Sequence, residues 1–151
     1  MFCKTSIIGI GKTQKEFISA ESHYLKQIKT KISLDFSAGF PEFSKEQQIE
    51  KESKLLLQKT ENLDFLICMD REGYQYNTES FCSLLQKISM GSKSMGFIIG
   101  GSYGLSSEIK QKCSSVISLS NLTFPHQLAR IILLEQIFRS ETILSGKKYH
   151  K

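Results

Sequence analysis

The chain is poor in the features that would take it out of the ordinary globular class. Only two prolines occur in 151 residues, so neither a Pro-rich linker nor a long disordered tail is expected. No apolar run approaches the roughly 20 residues of a membrane span. The opening run Ile7-Ile8-Gly9-Ile10 is too short for a secretory signal, and no small-residue cleavage site follows it. The four cysteines, at 3, 68, 82 and 113, form no Cys-x-x-Cys pair. Reduced, mostly buried thiols are therefore expected. The histidines at 23, 126 and 150 do not join the cysteines at zinc-ligand spacing, so no metal is predicted. Neither Gly-x-Gly-x-x-Gly nor a Walker A loop is present. Together these absences exclude extracellular, membrane and collagen-like classes and point to a cytoplasmic protein.

Hydrophobic residues make up 40% and charged residues 23% of the chain, close to a globular average. The length suits one domain, residues 1–151, with a real core. The formal charge is +5. Residues 125–151 hold five basic and two acidic groups, against five and six in residues 61–124. A moderate excess of this kind permits a polyanion partner without demanding one.

Short apolar runs alternate with amphipathic ones. Ser6–Ile10, Ile32–Phe36, Leu63–Met69, Gly96–Gly100 and Val116–Leu119 read as strands. The third is almost wholly apolar and is expected to be central in a sheet covered on both faces. Asp70-Arg71-Glu72-Gly73 is expected to leave its C-terminal end as a loop. Helices are predicted over 13–30, over 44–60 after a mobile polar start, around Phe81–Ile88 with Asn77 or Thr78 as cap, and near Ser106. The last runs from about Pro125 to Leu144, with Thr123 as N-cap and Gly146 as stop. Strand–helix alternation five times over predicts an α/β fold with a mostly parallel sheet and helices on both faces. Ligands bind such sheets at the carboxyl ends of the strands, which singles out the loops after Met69, Ile99 and Leu119.

Gly100-Gly101-Ser102-Tyr103-Gly104 would let a ligand approach the backbone closely; a tight strand-to-helix turn explains it equally. Ser118 to Gln127 is a nearly uncharged strand-to-helix loop, fit either to hold an adenine ring on backbone groups or to cap a helix. The last helix is apolar over more than one stripe, so a second protomer is a natural cover for one side. Glu135 and Arg139 stand i,i+4 and can pair. The tail Lys147-Lys148-Tyr149-His150-Lys151 sets an aromatic ring among cations, a pattern that suits either simple solvation or stacking on a base beside phosphates.

Phe97 to Ser106, Ser118 to Arg130, Leu134-Glu135-Gln136-Ile137-Phe138-Arg139 and the closing Tyr149-His150-Lys151, with Ile8-Gly9-Ile10-Gly11-Lys12 at the start, resemble the ribosomal RNA large subunit methyltransferase H family. The resemblance is strong from residue 97 onward and weak between 37 and 62. It implies a SPOUT-class fold with a C-terminal trefoil knot, a homodimer, and S-adenosylmethionine as methyl donor. It further implies methylation of N3 of a pseudouridine in 23S rRNA within the assembled ribosome. Carried over by position, the cofactor site comprises Met69 (where the family usually has Leu), Gly100, Leu119, Ser120, Asn121, Leu122, Thr123 and Phe124. Arg139 is assigned to phosphate or developing-charge contact, Tyr149 to stacking or positioning, and His150 to proton handling, with Lys151 beside them. Phe138 stands where the family often has Tyr and receives no chemical role. Ser140-Glu141 replaces a more apolar pair, and Glu141 is expected to bring an anion near the RNA side. A competing class keeps the fold as a non-catalytic nucleotide- or ribosome-binding module. A Rossmann-like oxidoreductase ranks third, because the dinucleotide fingerprint is missing.

Overall fold

A computed structural model describes residues 1–150. Ten elements alternate along the chain. They are β1 (Lys4–Ile10), α1 (Lys15–Gln27), β2 (Ile32–Ser37), α2 (Lys45–Thr60), β3 (Phe65–Gln75), α3 (Thr78–Gly91), β4 (Ser94–Ile99), α4 (Ser107–Lys112), β5 (Ser115–Ser118) and α5 (His126–Leu144). The strands form one parallel sheet in the order β2-β1-β4-β3-β5. The α/β expectation is thus met. The central strand is β4, buried along its whole length; β3, expected there, lies one place towards the edge.

Alternate residues of each strand feed two separate cores, as the period-two geometry of a strand requires. Ile7, Ile67 and Phe97 point into one layer with Phe81 and Leu85 of α3 and Leu133, Leu134 and Ile137 of α5. Ile8, Cys68 and Ile98 point the other way, against Leu56 of α2 and Ile109 of α4. Both faces are covered, so an all-parallel sheet leaves little apolar surface to water.

Three local expectations are corrected. The polar start of the second helix is helical from Lys45, because Ser44 and Gln47 form a reciprocal capping box that satisfies the first amides. Strand β3 does not stop at Met69. It runs to Gln75 through a register shift, and Tyr74 and Gln75 pair with Ile117 and Ser118 of β5. Backbone pairing with an edge strand overrides the polar side chains of Asp70 to Glu72. Thr123 does not cap α5. The capping position is Pro125, with no side-chain bond, and the Thr123 hydroxyl accepts instead from Arg71 Nη1 at 3.3 Å. Gly146, with φ of 66°, ends the helix region as expected.

Helix α5 is tied to the N-terminal half by two buried charges. Arg130 is 1% exposed. Its guanidinium lies 3.3 Å from the Phe36 ring centroid and donates to Gly11 O at 2.9 Å, Glu21 Oε2 at 2.8 Å and the Thr13 hydroxyl. Glu141 is also buried. It accepts from the Lys29 amide at 2.8 Å, the Thr30 amide at 2.7 Å and the Thr30 hydroxyl. Glu141 therefore does not face a partner. Its charge is consumed in closing the α1–β2 turn.

Candidate active site

The carboxyl ends of β3, β4 and β5 open into one cavity of about 870 Å³, within the size range of small-molecule sites. Met69 and Asp70 come from β3, Ile99 from the end of β4 with Gly100 directly after it, and Ile117 from β5. The connection from β5 to α5 supplies Leu119, Ser120, Leu122, Thr123, Phe124 and Pro125, and α5 begins with His126 at its wall. Seven of the eight residues expected to hold a cofactor thus line a single space. Asn121 does not: its side-chain oxygen accepts from Gln75 Nε2 at 2.8 Å, which pins the loop to the end of β3.

The loop after β4 is shaped by its glycines. A Cβ on Gly100 would lie 2.7 Å from the carbonyl carbon of Gly104 and 2.8 Å from its oxygen, so no side chain fits there. Gly104 returns its amide to Gly101 O at 3.0 Å and takes φ of 77°, a conformation that favours glycine. The result is a tight fold of backbone at the cavity wall, with the half-exposed Tyr103 ring at its rim. On the opposite side Ser118 Oγ donates to Ser120 O at 2.9 Å, and Ser120 Oγ accepts from the Leu122 amide at 3.0 Å. These local bonds hold the first half of the second loop, and Arg71 reaches Thr123 in its second half.

Charged side chains reach the cavity from Asp70, Arg71 and Glu72 of β3 and from Lys110 of α4. Lys110 of α4 pairs with Asp70 at 2.8 Å. Burial raises the Asp70 pKa, but the Lys110 hydrogen bond, the Glu72 amide and the Lys110 charge outweigh it and hold the carboxyl below its usual range. His126, at the start of α5, packs on Gly11; burial and then the Arg130 charge press it towards the neutral form. Asp70 and His126 fall within loops that the sequence singled out but were given no role there, and Lys110 was not anticipated. Asp70 and Lys110 lie on a strand extension and a short helix whose approach depends on the tertiary fold.

The expected catalytic residues form a second cluster. Arg139 Nε donates to Glu135 Oε1 at 2.9 Å, and its Nη2 reaches the same oxygen. The guanidinium carbon lies 4.7 Å from the Tyr149 ring centroid, and the Tyr149 hydroxyl donates to Glu135 Oε1 at 3.3 Å. His150 Nδ1 is 3.5 Å from Arg139 Nη1, and Nε2 is 2.8 Å from Glu79 Oε1. An Arg N–H facing Nδ1 makes that nitrogen the acceptor and leaves Nε2–H to donate to the carboxylate. The His150 bond, with the Glu79 backbone amide behind it, holds Glu79 below the usual carboxylate range. Phe138 packs edge-on against Tyr149 with centroids 4.8 Å apart, a supporting role rather than a chemical one. None of these side chains lines the cavity of its own chain. Lys151 lies outside the described residues.

A family model described as Predicted SPOUT methyltransferase matches residues 3–150. The chain is 39% identical over 148 residues to a Dictyoglomus thermophilum protein named Ribosomal RNA large subunit methyltransferase H, covering 95% of this chain and 97% of the relative. It is 37% identical over 152 residues to the Christiangramia forsetii protein of the same name, covering 95% and 96%. The chain belongs to the ribosomal RNA large subunit methyltransferase H family. The fold is that of the SPOUT class. It superposes on a probable methylase family protein from Haemophilus influenzae Rd KW20 with a TM-score of 0.60 at 12% identity, over 100% of this chain and 72% of that one. A probable methyltransferase from Bordetella pertussis Tohama I gives 0.58 at 8% identity, over 92% and 96%.

S-adenosylmethionine is the methyl donor of SPOUT methyltransferases, and the cavity suits it on its own chemistry. A base and ribose need close backbone and apolar walls, which the Gly100 turn, Ile99, Ile117, Leu119 and Phe124 provide. No group of three or more metal-ligating side chains occurs among the described residues.

Proposed function

We propose that this protein methylates N3 of a pseudouridine in 23S rRNA of the assembled ribosome, as a cytoplasmic homodimer in which residues 1–151 act as one knotted SPOUT domain. The observation that carries the reading is the convergence of three strand-end loops on one cavity, lined by seven of the eight residues that the family resemblance implies for the cofactor.

When bound, S-adenosylmethionine supplies a methyl group already activated on a sulfonium. The chain's own work is then alignment and proton handling. Met69, the Gly100 turn and Leu119 to Phe124 bind and orient, with the exception of Asn121, which fixes the loop from behind. The target N3 carries a proton that must leave, and the cluster of Arg139, Tyr149 and His150 is suited to this. Arg139 can stabilise negative charge on the base or touch phosphate, Tyr149 can stack, and His150 Nδ1 can accept a proton once Arg139 moves to substrate.

Cluster and cavity do not meet within one protomer. Arg139 lies thirteen residues beyond His126 on α5, or about 20 Å along the helix at the usual rise per residue. A second subunit resolves this by bringing its own tail to the first subunit's cavity. The face of α5 that would support such a contact is present: Leu128 is exposed and Ile131 and Ile132 are half-buried. The non-catalytic alternative predicts binding without turnover.

The deciding experiment is transfer of labelled methyl from S-adenosylmethionine to ribosomes lacking the modification, set beside naked 23S rRNA. Labelling of ribosomes at N3 of pseudouridine, with little on free rRNA, is expected. Equal rates on both would end the ribosome assignment, and cofactor binding without labelling would favour the non-catalytic module. Mixing a Gly100→Ala protein with one lacking 149–151 should restore part of the activity if the subunits share sites.

A further inference from the structure

The two layers of the sheet treat their cysteines differently. Cys82 is buried on α3 and donates its thiol to Ser140 O at 3.5 Å. Cys3 is half-buried at the N-terminus with no sulfur beside it. Cys68 and Cys113 stand apart, because their Sγ atoms are 2.6 Å apart. Cys68 sits on β3 with no exposed surface, facing the layer that holds Ile98 and Ile109. Cys113 follows α4, where its amide bonds Ile109 O at 3.1 Å, and the next residue, Ser114, donates its amide to Leu66 O at 2.8 Å. The backbone on either side is therefore fixed, and the sulfurs are held at a separation only slightly beyond a disulfide bond of about 2.05 Å.

We propose that Cys68 and Cys113 are an oxidisable dithiol, converted by a low-molecular-weight disulfide into an intramolecular bond that staples β3 to the end of α4. The half-buried Cys113 is the attacking group and the fully buried Cys68 the resolving one. The Cys113 thiolate attacks one sulfur of the small disulfide, forming a mixed disulfide and releasing one small thiolate. Cys68 then gives up its proton and attacks Cys113 Sγ, releasing the second small thiolate. Two protein thiols are oxidised and one small disulfide is reduced to two thiols. Accessibility sets this order, because Cys113 keeps some exposed surface and Cys68 has none. The hydrogen bond from Cys68 draws Cys113 below its ordinary range against the opposing effect of burial. That bond and then burial push Cys68 upward.

The place of the bond matters because Met69 and Asp70 follow Cys68 directly, and Lys110, which pairs with Asp70, lies one turn before Cys113. The staple closes a few tenths of an ångström of sulfur separation. It thus fixes this wall of the cavity without reshaping it.

The test uses the whole reduced protein, oxidised glutathione as oxidant, an alkylating quench and peptide mass mapping. A peptide pair joining Cys68 and Cys113, lighter by two hydrogens and free of glutathione, is expected. Its melting temperature should exceed that of the reduced protein by about 5–10 °C, reversibly with dithiothreitol. Cys68→Ser should trap one glutathione on Cys113. Recovery of both cysteines in alkylated form from wild-type protein, or of a stable glutathione adduct on Cys113, would overturn the proposal without recourse to any variant. A linked form that melts no higher would remove the staple.

Discussion

The cavity and the C-terminal cluster are built on opposite plans. The cavity is mostly backbone and apolar side chain, shaped by the Gly100 turn and by short serine bonds, with one ion pair at its edge. The cluster is almost entirely side chain: Arg139, Glu135, Tyr149, His150 and Glu79 hold one another through charge-assisted contacts. A backbone-built site is indifferent to many side-chain changes and intolerant of a few steric ones. A side-chain network is sensitive to each member. The two plans suit the different tasks proposed for them, one holding a constant ligand and the other meeting a reacting base.

Removing residues 149–151 should sharpen the contrast most. Turnover on ribosomes is expected to fall by about 10²–10⁴-fold, the usual range for loss of acid–base and positioning groups. Calorimetric affinity for S-adenosylmethionine should stay within about twofold. A parallel loss of affinity would show that the tail belongs to the cofactor site. Gly100→Ala should do the reverse. The added methyl meets the Gly104 carbonyl, and overpacking of 1–3 kcal/mol corresponds to about 10–100-fold weaker cofactor binding. Arg139→Lys keeps the charge but loses the fork that grips Glu135, and a drop of about tenfold in kcat is expected with affinity unchanged.

The smallest expected effect lies behind the cavity. Glu52 is buried against Gly101, with Oε2 unpartnered, and burial raises its carboxyl above the ordinary 4.5. The folded protein therefore holds this proton to higher pH than the unfolded chain. The penalty is absent below pH 4.5 and grows as pH rises through the folded value. Glu52→Gln should stabilise the protein by about 1 kcal/mol at pH 7, and melting curves should converge with wild type below about pH 4.

The difference between the regions also explains what could be read from the amino-acid order. The five strands are short apolar runs, and their ends mark the cavity loops, so the sheet and the loops that line the cavity were legible locally. Asp70 and Lys110 were not, because their meeting depends on β3 continuing past Met69 and on α4 folding back over it. The bond that turns Asn121 away from the cavity was hidden for a similar reason: its partner, Gln75, sits on a strand extension that its polar neighbours conceal. Glu141 was the clearest misreading. Its sequence neighbours suggest a surface anion, whereas its ligands, Lys29 and Thr30, lie more than a hundred positions away.

Those distant ligands have a mechanical consequence. An interface of leucines and isoleucines alone lets a helix rotate or shift by a turn at modest cost, since one apolar neighbour replaces another. Arg130 near one end of α5 and Glu141 near the other each fit a single set of partners, and opposite signs prevent them from exchanging places. The helix is keyed at two points like a shaft in a lock. The reach from the cavity end of the helix to the C-terminal cluster is thereby set to one length.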